Sequence, residues 1–88
     1  MKNLYGSTVM KSNHTSATIN YYKVLDEKYG IEIEKQVYNE KIESKKIPNI
    51  TENIEIINKV LDILTEKFVM PESAEYIIED LKFDNLIS

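Results

Sequence analysis

The chain is 88 residues long, with 42% apolar and 30% charged residues and a formal net charge of −4. A chain of this length forms one small domain and buries roughly 60–65% of the surface that it exposes when unfolded. It has no cysteine, which excludes disulfides, thiolate metal ligands and cysteine nucleophiles. Its eleven basic residues are all lysines, which also excludes bidentate guanidinium contacts to phosphate or guanine.

Charge is distributed unevenly along the chain. Residues 1–25 contain three lysines and no acid (+3), whereas residues 26–88 contain eight lysines and fifteen acids (−7), and the two parts sum to −4. Residues 51–88, the predicted helical part, contain three lysines and nine acids. An acidic helical surface repels nucleic acid and favours a basic partner, but a solvated helix face is the more common explanation of such charge. No apolar run has signal-peptide length or approaches the ~20 residues that span a bilayer. We therefore expect a cytoplasmic protein that does not associate with membranes and binds nucleic acid weakly or not at all.

The N-terminal half predicts a small antiparallel sheet. Residues 1–16 are rich in Ser, Thr, Asn and Lys without a period, and we expect them to form a mobile segment. Residues 17–26 and 31–38 alternate apolar and polar positions, which is typical of half-buried strands. Gly30 is predicted to supply a positive φ in the turn between these strands. Residues 42–47 predict a weaker third strand, which Pro48 is expected to end.

The C-terminal half predicts two short helices joined at Met70–Pro71. Apolar residues recur at intervals of three or four, the period of an amphipathic helix. These residues are Ile54, Ile57, Leu61, Leu64 and Phe68 in the first helix, and Ala74, Ile77, Ile78 and Leu81 in the second. Thr51 is the expected N-cap of the first helix, with Asn49 and Glu52 as an alternative capping box. Pro71 suits the first turn of the second helix, since its missing N–H needs no partner there.

Together these elements predict an α+β domain over residues 17–88. A two- or three-stranded antiparallel sheet packs one face on a C-terminal helical hairpin, in the order β-β-(β)-α-α. A sheet this small leaves its other face uncovered, and dimerisation or partner binding would be expected there. A homodimer is as compatible with this pattern as a monomer.

The sequence offers little that could perform catalysis. His14, the one histidine, lies in the segment expected to be mobile, where no second ligand or base is held beside it. Gly6 and Gly30 are the only glycines, so a glycine-rich phosphate loop is excluded. The carboxylates fall on polar faces, away from the apolar pocket that a general acid requires. We therefore predict no enzymatic activity and no catalytic, cofactor-binding or metal-binding residue.

Two surfaces are the candidates for binding another protein. The second helix directs its acids outward, and the far face of the sheet carries tyrosines, which give large contact area with a polar tip. Tyrosine is equally at home in small sheets, so this second surface has a structural interpretation as well. The candidate partner-binding residues are Tyr22, Tyr38, Glu72, Glu75, Glu79 and Asp80.

Residues 20–83 resemble a family of uncharacterised small proteins from spore-forming Gram-positive bacteria. The order of parts carries the resemblance: Tyr21-Tyr22-Lys23-Val24, then Tyr29-Gly30-Ile31-Glu32-Ile33, then Ile50-Thr51 before a helix. The distinctive part is the closing segment, Val69-Met70-Pro71-Glu72-Ser73-Ala74-Glu75-Tyr76-Ile77-Ile78-Glu79-Asp80-Leu81. The resemblance implies the limits of the domain and no activity or site.

The function that we expect is that of a non-enzymatic regulatory or adaptor protein that binds another protein. The alternative is an accessory factor of a DNA transaction, in a recombination or transcription complex. In that case the acidic body would hold a DNA-associated protein while the basic N-terminal arm touches DNA.

Overall fold

In the computed structural model, which describes residues 1–87, four antiparallel strands precede two helices. The strands are β1 (Lys2–Lys11), β2 (Ser16–Leu25), β3 (Tyr29–Val37) and β4 (Glu43–Thr51), in the sheet order β1-β2-β3-β4. Helix α1 spans Ile54–Glu66, a 3₁₀ turn spans Pro71–Ser73, and helix α2 spans Ala74–Phe83. The α+β class and the two C-terminal helices are thus confirmed. Ser88, the last residue of the predicted domain, lies outside the described residues.

The sheet has four strands where the sequence predicted two or three. The additional strand is β1, inside residues 1–16, and it pairs with β2 around a bulge between Leu4 and Gly6. Its pattern escaped prediction because an edge strand buries few side chains and a bulge shifts the alternation by one residue. An edge strand can still open locally, so the mobility of residues 1–16 stays a prediction.

One face of the sheet is buried beneath α1. The fully buried side chains of this face come from the two central strands, and those that meet them come from α1. They are Ile19, Tyr21, Ile31 and Ile33 of the sheet, and Ile57, Val60, Leu61 and Leu64 of α1. Helix α1 contacts all four strands, whereas α2 contacts β4. Most of the predicted stripe of α1 therefore lies in the core, but Ile54, its first member, is 48% exposed. Helix α2 adds Ala74, Ile78 and Leu81, while Ile77 is only partly buried.

Strand β1 is held to the helical layer by Tyr5. Its hydroxyl donates to the Asp62 carboxylate at 2.6 Å and approaches the Asn58 carbonyl oxygen at 3.4 Å. The hydrogen bond to Asp62, helped by burial, raises the pKa of the Tyr5 hydroxyl above its usual value. Because Tyr5 is the extra residue of the bulge, its ring shares the helix-facing side of the sheet with Gly6.

Strand β4 continues through Pro48, which the sequence predicted to end it. Proline lacks a donor, and β4 tolerates it because an edge strand has only one neighbour to bond. The pairing shifts between Tyr29↔Thr51 and Ile31↔Ile47, so that residues 48–50 form a bulge opposite Gly30. Asn49 at its centre has φ 55°, and its side-chain oxygen accepts from the Lys28 N–H at 2.9 Å.

The predicted positive φ of Gly30 was wrong, since neither glycine of the chain has one. Glycine is needed at this position because the neighbouring strand leaves no space for a side chain. Gly30 lies within β3, facing the bulge of β4. A Cβ at this position would collide with the carbonyl oxygen of Ile47 and lie 2.7 Å from the Cα of Pro48. Both are backbone atoms, which move only if the strands separate.

The cap of α1 differs from both sequence predictions. Asn53 is the N-cap, and its side-chain oxygen accepts from the N–H groups of Glu55 and Ile56. Thr51 is buried at the end of β4 and accepts from the Asn53 N–H instead, at 3.1 Å. The strand extends further toward the helix than predicted, which leaves Asn53 as the first residue free to take the cap position.

The link from α1 to α2 is anchored in the sheet. Phe68 takes a left-handed conformation (φ 52°) that ends α1 and leaves its ring half exposed, outside the predicted stripe. The next residue, Val69, is buried, and its carbonyl oxygen accepts from the Tyr21 hydroxyl at 3.0 Å. Pro71 then opens the 3₁₀ turn that leads into α2, as predicted for a first turn.

Replacing Gly30 with alanine should lower the free energy of unfolding by about 1–3 kcal/mol, because the new methyl group forces β3 and β4 apart. The matched control is Gly6→Ala, whose Cβ would lie 3.1 Å from the Thr65 methyl, a side-chain group that can move. Its cost should stay below about 1 kcal/mol. Urea unfolding measures both variants. Equal losses in the two would contradict the close approach at Gly30.

Tyr21→Phe should cost about 1–3 kcal/mol, because it leaves the buried Val69 carbonyl group without its donor. Tyr22→Phe is the control on the neighbouring position, where the hydroxyl bonds to Glu34 on the open side of the sheet. Its cost should be below about 1 kcal/mol. Thermal unfolding followed by circular dichroism compares the two, and the reverse order of stabilities would contradict the anchoring role of Tyr21.

In dilute solution the amides of β1 should exchange with solvent at least about tenfold faster than those of β2 and β3, because an edge strand opens at lower free energy. Hydrogen exchange followed by NMR gives the rates residue by residue. Protection of β1 equal to that of β2 would show that residues 1–16 are as firmly held as the core.

Candidate functional site

The solvent-facing side of α2 carries the acidic candidates. Glu72 lies in the 3₁₀ turn, and Glu75, Glu79 and Asp80 follow in α2; all four are exposed. Spacings of three and four residues place such side chains beside one another on a helix surface. Glu72, Glu75 and Glu79 also line one surface depression together with Tyr76. The structure thus brings three of the four predicted acids together at one depression, and Asp80 is not among its lining residues.

Two exposed aromatic side chains lie on the same helix. Tyr76 is 72% exposed and Phe83 is 88% exposed, although both are large enough to pack in a core. They lie seven residues apart, so they share one side of α2 with Glu79, which falls between them. The sequence prediction missed them, but the same spacing that grouped the acids would have grouped these rings with them.

Most of the negative charge on α2 is uncompensated. Glu75 approaches Lys45 of β4 at 3.6 Å, in a solvent-exposed pair that contributes little stability. In the described part of the chain, Glu72, Glu79 and Asp80 form no ion pair. We refer below to Glu72, Tyr76, Glu79, Asp80 and Phe83 as the α2 face.

Tyr22 lies on the face of the sheet that the helices leave uncovered, called the open face below. Its side chain makes its contacts within the chain. Its hydroxyl donates to Glu34 at 2.9 Å, and the Lys2 ammonium lies 4.4 Å from the ring centroid. Lys2 also donates to Glu32 at 3.2 Å and to Glu34 at 3.4 Å. The hydrogen bond to Glu34 raises the pKa of the Tyr22 hydroxyl. The pKa of the Lys2 ammonium is also raised, mainly by its hydrogen bond to Glu32 and to a smaller extent by that to Glu34. This network bridges β1, β2 and β3, so Tyr22 has a structural role in holding the sheet together.

Tyr38 does not share a patch with Tyr22. It follows β3, is 72% exposed, and its N–H donates to the carbonyl oxygen of Ser16. Ser16 is six residues from Tyr22 along β2, which at 3.3 Å per residue is about 20 Å. Val24 is buried, at 3% exposure. The two tyrosines are therefore separate features of the surface.

The basic arm of the DNA-accessory alternative presents little free charge. Of the three lysines among residues 1–25, Lys2 is paired with Glu32 and Glu34, and the ammonium of Lys23, in β2, lies 5.6 Å from the centroid of the Tyr5 ring. Lys11 ends β1 and is exposed. These contacts weaken the support for that alternative, which stays a prediction.

Residues 1–87 present no group of three or more His, Asp and Glu side chains placed to hold a metal ion. His14 is exposed in the loop between β1 and β2. Within the same residues, neither helix has the length and apolar character to cross a membrane. The predicted absence of catalysis rests on the sequence and stays a prediction.

Comparison with known proteins identifies the family without assigning it an activity. No curated protein and no solved structure matches the chain. The model of one family, described as a family of unknown function (DUF6514), matches residues 2–83. The match begins at the first residue of β1 and ends at the last residue of α2, so it spans the whole sheet and both helices. The chain therefore belongs to the DUF6514 family of unknown function.

Proposed function

We propose that this chain is a non-enzymatic cytoplasmic adaptor or regulatory protein that binds a basic partner protein through the α2 face. The observation that carries the proposal is the exposure of Tyr76 and Phe83 amid acids without ion pairs. An aromatic side chain that is mostly exposed in its own chain gains up to about 1.5–3 kcal/mol when a partner buries it fully. The acids alone would be explained as a solvated helix face.

The two kinds of side chain would contribute differently to binding. Aromatic residues dominate the energy of interfaces once they are buried in a partner's pocket. Carboxylates at the rim, such as Glu72 and Asp80, contribute mainly by steering a basic surface into register and by excluding acidic proteins. This division predicts that the association rate falls as the salt concentration rises, and that the affinity depends mainly on Tyr76 and Phe83.

Reversing the charge of Glu72, Glu79 and Asp80 to lysine should weaken binding of the partner by at least about tenfold. These acids are chosen because none takes part in an ion pair within the described residues, so the fold should be unaffected. Affinity capture from the native host with wild-type and variant baits, quantified by mass spectrometry, identifies proteins that depend on the α2 face. Their affinity for each bait is then measured with purified proteins.

The matched control reverses three exposed acids elsewhere, Glu27, Glu40 and Glu66, and changes the net charge equally. It should retain the partner. A second variant, Phe83→Ser, should lose the partner without any change in charge. If both triple variants retain the same proteins as the wild type, or lose them equally, the α2 face is not the binding surface.

A further inference from the structure

The two edges of the sheet differ in how well they are protected. Edge strands of soluble proteins are normally blocked by proline, charge, a bulge or a covering element, because their unpaired backbone groups can bond another strand. Strand β4 has Pro48, the bulge at residues 48–50, charged residues at 43, 45 and 46, and α2 beside it. Strand β1 has one bulge and no proline, and its eight positions between Lys2 and Lys11 are uncharged.

The backbone of β1 offers hydrogen bonds to an added strand at residues 7 and 9. The Tyr38 N–H donates to Ser16 of β2, so even-numbered residues of β2 bond to β3 and odd-numbered residues bond to β1. The partners of Ala17 and Ile19 in β1 are Met10 and Thr8, which therefore bond inward. Successive residues of a strand direct their backbone hydrogen bonds to opposite sides. The N–H and C=O groups of Ser7 and Val9 are therefore directed away from β2, toward the solvent at the sheet edge.

The exposed side chains of β1 fit a second copy of the same strand. A two-fold axis at Thr8 pairs Ser7 with the partner's Val9, both outward-bonding, so four backbone hydrogen bonds form. The same register places Met10, which is 40% exposed, opposite the partner's Gly6. Val9, which is 55% exposed, gains a neighbour on the open face.

Charge favours the same pairing. Lys2, Glu32 and Glu34 form one ion-paired cluster with a formal charge of −1. The two-fold register brings the partner's Lys11 to the same end of β1 as this cluster. Lys11 takes part in no ion pair among the described residues. The pairing therefore brings a positive group toward a negative cluster at both ends of the interface.

We infer that two copies of this chain associate through antiparallel pairing of their β1 strands, with the two-fold axis at Thr8, to form one continuous eight-stranded sheet. This inference is independent of the α2 face, which lies on helices and takes no part in the pairing. Symmetric two-fold dimers are the commonest assemblies of soluble proteins, and this interface is self-complementary as they require.

Light scattering after size-exclusion chromatography tests the inference. The wild type should reach twice the 10.3 kDa monomer mass as its concentration rises. Val9→Pro removes an outward N–H and should weaken dimerisation by at least about tenfold, as should Val9→Lys, which places a charge at the interface. Val9→Thr keeps the N–H and the branched side chain and should dimerise as the wild type does. A wild type that remains monomeric at about 1 mM would overturn the inference.

Cysteine cross-linking tests the register and does not require a proline variant to fold. The chain has no cysteine, so Thr8→Cys introduces a single thiol. Directly opposite residues of a non-hydrogen-bonded pair lie about 4.5 Å apart at Cα, within the range that a disulfide bridges. Mild oxidation should therefore give a covalent dimer with Thr8→Cys and little with Ser44→Cys on the opposite edge. Cross-linking of Ser44→Cys in place of Thr8→Cys would overturn the pairing of β1.

Discussion

The hydrogen bond from Tyr21 to Val69 joins the two layers of this protein. Tyr21 lies at the centre of the buried sheet face, and Val69 lies in the link that turns the chain from α1 toward α2. The ring fills the core between Ile19 and Ile33, while its hydroxyl satisfies a carbonyl group that would otherwise be buried without a donor. This contact fixes the start of the link that leads into α2, and the buried residues Ala74, Ile78 and Leu81 then pack α2 against the core.

The parts of the fold that the sequence predicts well are those in which burial imposes a period. The stripe through Ile57, Leu61 and Leu64 and the alternation through Ile31 and Ile33 both mark faces that pack in the core. Strand β1 could not be found this way because Leu4 and Val9 are more than half exposed. Edge geometry also explains β4, since a proline is tolerated in an edge strand or at a bulge, where the sheet does not require its missing N–H.

The candidate site was predictable to the same degree. The acids of α2 follow from helical spacing, because an amphipathic helix directs its polar residues outward. Tyr76 and Phe83 have the same spacing, yet aromatic residues are expected in the core, and only the structure shows that these two rings are exposed. Tyr22 illustrates the opposite difficulty. Its partners Lys2 and Glu34 come from two other strands, and a pairing register cannot be read from composition.

The proline in β4 has a consequence for how far assembly could extend. A sheet with two open edges can add copies without limit, which is the geometry of fibrils. Here one edge is closed by Pro48 and the bulge beside it, and α2 lies against the same strand. Joining two molecules at β1 would leave a β4 strand at each outer margin, so growth would end with the pair. If two copies pair at β1, the asymmetry between the two edges would favour a closed pair over a polymer.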